Sequence, residues 1–196
     1  MVLRHLAIGG GWHSHRCSRQ AAWWGLVPEP ICIGPNKTVY VRSADTRIAE
    51  LTGQQFGTDY VNTLLDDPTT SYWSLPPIAT VLATERIETE AGPSMLAAIQ
   101  KAHYVDGRRV SEPESLVDIA ATLGLDAHAF TVSFSIQSAR AHVAQTHALM
   151  QTTGLQGFPG FSIERNGRFT KLYNENFYGY PNKFVDALRR SVGSDA

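Results

Sequence analysis

Near Gly154 the spacing of apolar residues switches from helical to alternating, and that switch limits the folds open to the chain. Before it, residues 45–53 predict one or two helical turns, with Asp45 as N-cap and Gly53 as stop. Tyr60, Leu64 and Leu65 mark a second short helix. Pro77 then opens a helix carrying Ile78, Val81, Leu82 and Ile87; in a first turn the missing N–H of proline costs nothing. Met95, Leu96, Ile99 and Ala102 or His103 place another helix over 94–104, closed by Gly107. Residues 112–123 repeat the device with Leu116, Ile119, Ala120 and Leu123, stopping at Gly124. Asp126 caps the next helix, with Phe130 and Phe134 four apart. A long pattern through Ala139, Val143, Leu149 and Met150 ends at Gly154.

After the switch, residues 161–164 and 168–173 alternate apolar and polar around Arg165-Asn166-Gly167, whose Asn-Gly pair is a hairpin signal. Pro181 opens a last helix with Phe184, Val185 and Leu188, and Arg189 and Arg190 suit the negative end of its dipole. At the other terminus, residues 2–8 read as a buried strand stopped by Gly9-Gly10-Gly11. Residues 12–37 show no clear period and read as irregular, with a short helix around 21–24 and a strand at Ile31-Cys32-Ile33. The element order is strand, irregular segment, helices, hairpin, helix. That is an α/β layer plan with a large helical insertion, without internal repeats or low-complexity tracts.

Composition removes several classes. At 196 residues and 43% hydrophobic, the chain can bury a core, which excludes intrinsic disorder. A net charge of -1 without blocks of like charge points away from nucleic acid and anionic membranes. No apolar run reaches the ~18 residues of a membrane span, and the start does not read as a secretory signal. The expected location is cytoplasmic, where Cys17 and Cys32 stay reduced and are too few for a disulfide scaffold.

The most informative local feature is Gly157-Phe158-Pro159-Gly160, directly before the hairpin. Proline is excluded from central strands but can begin one. A cis Phe158–Pro159 bond there would leave backbone N–H and C=O groups free to pair with an extended peptide; a trans bond would be an ordinary loop. Among other candidates, His13, His15 and Cys17 alternate and could reach one metal from a strand face, but no fourth ligand has matching spacing, so no metal is expected. His142 and His147 are five apart, which does not suit a paired helical metal site. His103 and Tyr104 read as structural, with the imidazole hydrogen-bonded, and Tyr178-Gly179-Tyr180 as a loop whose rings cover the core.

Residues 154–159, the hairpin and the closing helix resemble the C-terminal half of a thioredoxin fold. Residues 45–54, 97–108, 123–126 and Tyr178-Gly179-Tyr180-Pro181 resemble the cytosolic, FrnE-type branch of the DsbA-like family. The resemblance runs from about Tyr40 to Val192. It implies a thioredoxin-like fold with an inserted all-helical subdomain and an ancestry of thiol–disulfide exchange. On that pattern residues 1–40 are an incomplete or divergent N-terminal part of the thioredoxin-like domain. Residues 41–153 are the helical insertion, and residues 154–196 the C-terminal part. Gly157, Phe158 and Pro159 are the implied substrate-binding residues, toward a thiol- or disulfide-containing protein or peptide. No cofactor is implied.

The family's chemistry rests on a Cys-x-x-Cys at the start of the first helix, where the helix N-terminus favours the thiolate. The first thiolate attacks a substrate disulfide and the second cysteine resolves the mixed disulfide. This chain has no Cys-x-x-Cys; Cys17 and Cys32 lie fifteen positions apart and are only weak thiol candidates. In the favoured alignment, residues 3–11 match the family's second strand and its glycine turn. The first strand and active-site helix are then missing, whether through degeneration or a misplaced start. In the other, residues 2–8 stand in for the first strand and Gly10-Gly11-Trp12-His13 for the active-site tetrapeptide. Three functions follow as expectations: a redox-impaired relative of thiol–disulfide oxidoreductases and disulfide isomerases, a non-catalytic peptide-binding module, or a glutathione-dependent isomerase-like protein using Ser14 or Ser18.

Overall fold

Gly34-Pro35 starts the first long helix, because proline at the first helical position is already set to helical φ. In the computed structural model, which describes residues 27–156 and 160–193, this helix, α1, spans Pro35–Thr52. It therefore begins ten residues before the expected N-cap. Asp45 is not a cap but a mid-helix residue, and Pro35–Lys37 are helical rather than irregular. Gly53 does end the helix, at φ 71°, with its N–H donating to the Ala49 carbonyl at 2.8 Å.

The chain divides into two compact units, with the boundary at Val143 and Ala144 inside one helix. The larger unit covers Leu26–Val143. Its first described element is β1, Ile31–Cys32, antiparallel to β2, Ser71–Tyr72, with Ile31 opposite Tyr72 and Cys32 opposite Ser71. Trp73 Nε1 donates to the Pro28 carbonyl at 3.0 Å, Val27 N donates to Ser74 Oγ, and Ser74 N donates to the Val27 carbonyl, the last two at 2.9 Å. These contacts fix the chain entering β1. A π-helical turn, Tyr60–Leu64, lies where a short helix is expected. Tyr60, Leu64 and Leu65 are buried there against Ile33, Val41, Phe56, Val61 and Tyr104.

The core of this unit is built on α2, Leu75–Ile87, which packs against α3, Gly92–Tyr104, α4, Pro113–Thr122, and α5, Ala127–Ser133. Leu75, Ile78, Met95, Leu116 and Phe130 are almost fully buried. Thr80 and Thr84, also buried, donate to the Pro76 and Thr80 carbonyls at 2.9 Å, so their hydroxyls are satisfied within α2. The helix opens two residues before Pro77, and Ile87 and Leu123 are exposed rather than core. Asp126 caps α5 as expected: its Oδ1 accepts from Ala129 N at 2.8 Å.

Helix α6, Ile136–Thr153, belongs partly to each unit and ends where Gly154 takes φ 69°. The second unit then continues with the hairpin of β3, Phe161–Arg165, and β4, Arg168–Leu172. Asn166 and Gly167 both have positive φ, 50° and 74°, the mark of a two-residue type I′ turn. A 3-10 turn, Glu175–Phe177, leads to α7, Pro181–Gly193. Phe184 meets Phe161 and Phe177 edge-on at 5.1 and 5.6 Å. Tyr178 is half-buried, but Tyr180 is exposed and lies under Lys183 Nζ at 4.4 Å, so the expected aromatic cover is only partly made. Among the described residues no helix is long and apolar enough to cross a membrane.

Candidate functional site

Of the residues the sequence singles out for thiol chemistry or substrate binding, only Cys32 falls within the described residues. Cys17, Gly157, Phe158 and Pro159 lie outside them, as do His13, Ser14, His15 and Ser18 and the strand expected over 2–8. Cys32 is a free, exposed thiol on β1. It precedes the Gly34 N-cap of α1 by two positions, so it does not occupy the helical first turn where the backbone N–H groups converge. No group of His, Cys, Asp or Glu side chains among the described residues could hold a metal ion.

Directly across from Cys32's neighbour Ile31, Tyr72 leads into a polar cluster that local sequence patterns do not reveal. Its centre is Asp45, half-buried in the middle of α1. Tyr60 Oη donates to Asp45 Oδ2 at 2.7 Å. Burial pushes the Asp45 carboxyl up, against the opposing pull of the Tyr60 hydrogen bond. Burial also raises Tyr60, reinforced by the Asp45 charge, and takes Tyr72 up to about 12. Both phenols therefore keep their protons near neutrality.

His103, in the last turn of α3, meets Tyr60 at a tilt and Tyr72 and Tyr104 edge-on, with ring centroids 5.3, 6.1 and 4.7 Å apart. Its Nδ1 lies 3.3 Å from the Arg108 carbonyl. Burial lowers its pKa to about 4, so the ring is neutral at pH 7 despite that bond. This is the hydrogen-bonded structural histidine expected from the sequence. The Tyr72 hydroxyl, by contrast, is buried without a hydrogen-bond partner. The cluster can orient and hydrogen-bond, but it contains no thiol. The signal that could have found it is Asp45 itself: an acid inside an 18-residue helix must either face water or meet a donor.

Nearby, Arg109 pairs with Asp67 and donates to Thr69 Oγ1 at 3.0 Å. Ser111 Oγ donates to the Ser71 carbonyl at 2.8 Å. These contacts hold β2, and through it β1, in register. They place Cys32, the one cysteine among the described residues, on a firm edge.

Comparison with known proteins bears on this arrangement. No protein-family model and no curated protein matches the chain. Among solved structures, the chain is similar to the cytosolic disulfide reductase DsbM from Pseudomonas aeruginosa, with 41% identity over 80% of this chain and 77% of that one, at a TM-score of 0.74. The same reductase solved with GSH gives 39% identity over 83% and 79%, again at 0.74. A candidate protein disulfide isomerase from Nitrosomonas europaea, 24% identical over 87% and 78% at a TM-score of 0.68, shares the fold.

Proposed function

The chain belongs to the DsbA-like, FrnE-type family of thioredoxin-fold proteins with a helical insertion, and from that premise we propose that it is a redox-impaired thiol–disulfide protein. It retains a substrate cradle at Gly157, Phe158 and Pro159 and engages a thiol- or disulfide-bearing peptide, or glutathione, in the cytoplasm. The observation that carries this reading is the cysteine inventory. The 196 residues contain two cysteines and no Cys-x-x-Cys, and Cys32 sits on a strand edge as a free thiol. Exchange through a dithiol needs an attacking thiolate and a resolving thiol in reach of each other, which a Cys-x-x-Cys supplies within one helical turn. Residues 41–153 would act as the helical cap and residues 154–196 as the cradle's frame.

Glutathione stands beside a peptide in this reading because a relative has been solved with GSH. Two measurements test it. Insulin reduction by dithiothreitol is expected to run at the same rate with and without the protein. Clear acceleration that Cys17→Ala or Cys32→Ala abolishes would overturn the redox-impaired reading. Isothermal titration with glutathione and with a disulfide-bearing peptide is expected to give heat with at least one of them, unchanged when both thiols are replaced by alanine. No heat with either would remove the cradle.

A further inference from the structure

Charge is divided unequally along the fold. The larger unit, Leu26–Val143, holds eight Lys and Arg against fourteen Asp and Glu, a net charge of -6. The rest of the chain holds nine against four, a net charge of +5. The overall -1 is therefore the sum of two opposite charges, each large enough to steer a charged partner.

Net charge does not depend on who pairs with whom, but the pairing shows where each excess sits. In the larger unit Arg42, Lys101, Arg108, Arg109 and Arg140 are each paired with an acid of that same unit, so its excess is carboxylate. In the second unit the hairpin and α7 carry lysines at exposed positions. Lys171 on β4 lies opposite Ser162 on β3, and its Nζ sits 4.9 Å over the exposed ring of Tyr173. Lys183 on α7 covers the exposed ring of Tyr180 in the same way, at 4.4 Å. Each pair presents an ammonium together with an aromatic ring, one for a carboxylate and the other for an apolar side chain.

We propose, resting on the peptide-binding reading above, that the peptide taken by the second unit is an acidic one, met by Lys171 and Lys183. Charge complementarity selects this partner: carboxylates are drawn to the unit of net +5 and repelled by the unit of net -6. A short acidic segment can dock on one unit alone. A long polyanion or an anionic bilayer extends over many Debye lengths of about 10 Å, so the carboxylate excess of the larger unit opposes it. Docking of a second copy, basic unit on acidic unit, is head-to-tail and repeats into an open chain unless it closes into a ring.

Isothermal titration of the full chain with three versions of one disulfide-bearing peptide, carrying Glu, Gln or Lys at the same positions, tests the assignment. At roughly 50 mM salt the Glu version is expected to bind about tenfold tighter than the Lys version or better, and the gap to close largely at about 500 mM. Lys171→Glu combined with Lys183→Glu should weaken the Glu version about tenfold at low salt. Lys37→Glu combined with Arg47→Glu changes the total charge equally, at exposed positions of α1, and should weaken it by less than about threefold. Circular dichroism checks the fold of both variants, and the comparison of peptides on the wild type stands without them. Equal affinity for the Glu and Lys versions, or an equal loss in the α1 variant, would overturn the acidic partner and leave the peptide-binding reading in place. No heat with any version would remove that reading and the acidic partner with it. Tighter binding to phosphatidylserine–phosphatidylcholine vesicles than to the Glu version, or a salt-sensitive oligomer of the chain alone in sedimentation, would put a membrane or a second copy in place of the peptide.

Discussion

At the scale of single residues, the Asp45 cluster sets how stability depends on pH. An unfolded chain protonates His103 near its ordinary pKa of 6.5, whereas the folded chain does so only near 4. Between those values the unfolded state binds more protons, so stability falls as the pH drops through this window. The full effect is on the order of 3 kcal/mol. Asp45 works in the opposite sense: its raised pKa means the folded state takes that proton first as the pH falls. Urea unfolding of the wild type is expected to lose stability from pH 7 to pH 4.5, and His103→Gln should lose markedly less over the same range. Two tyrosines of the cluster should behave differently. Tyr60→Phe removes the donor to a half-buried carboxylate and is expected to cost about 1–3 kcal/mol. Tyr72→Phe removes a buried hydroxyl without a partner and should be neutral or slightly stabilising in the same assay. Equal losses in both would contradict the hydrogen-bond pattern.

Among the elements, close approach of backbone matters most between the loop before the π-helical turn and the end of α3. Gly57 N donates to the Tyr104 carbonyl at 2.8 Å, and a Cβ at Gly57 would fall inside the van der Waals surface of the Val105 carbonyl. Backbone cannot move aside as a flexible side chain can, so Gly57→Ala is expected to lower the urea midpoint by several times the shift of an ordinary surface substitution. The same scale shows how much of the secondary structure was legible. Glycine and proline punctuation located α2 through α7 within a few residues, because caps and stops are local chemistry. The start of α1 was missed. Its first two turns expose Val39 and Tyr40, and none of its residues is fully buried, so it carries no apolar stripe for a periodicity argument to read. The Gly34-Pro35 pair was the one available signal.

On the level of the whole molecule, a net charge of -1 and a sequence pI near 6.6 leave little charge repulsion between copies just below neutrality. The lowest solubility is therefore expected at about pH 6–7, seen as a turbidity maximum that moves to lower pH in Arg168→Glu. The amino-acid sequence alone determined the helical middle, the type I′ hairpin, the closing amphipathic helix and the lack of a Cys-x-x-Cys. All of these depend on residues within a few positions of one another. The pairing of Ile31 with Tyr72, the bond from Tyr60 to Asp45 and the burial that keeps His103 neutral were decided only by tertiary structure. Each joins segments separated by many residues, and burial is a property of what packs around a side chain rather than of its neighbours along the chain.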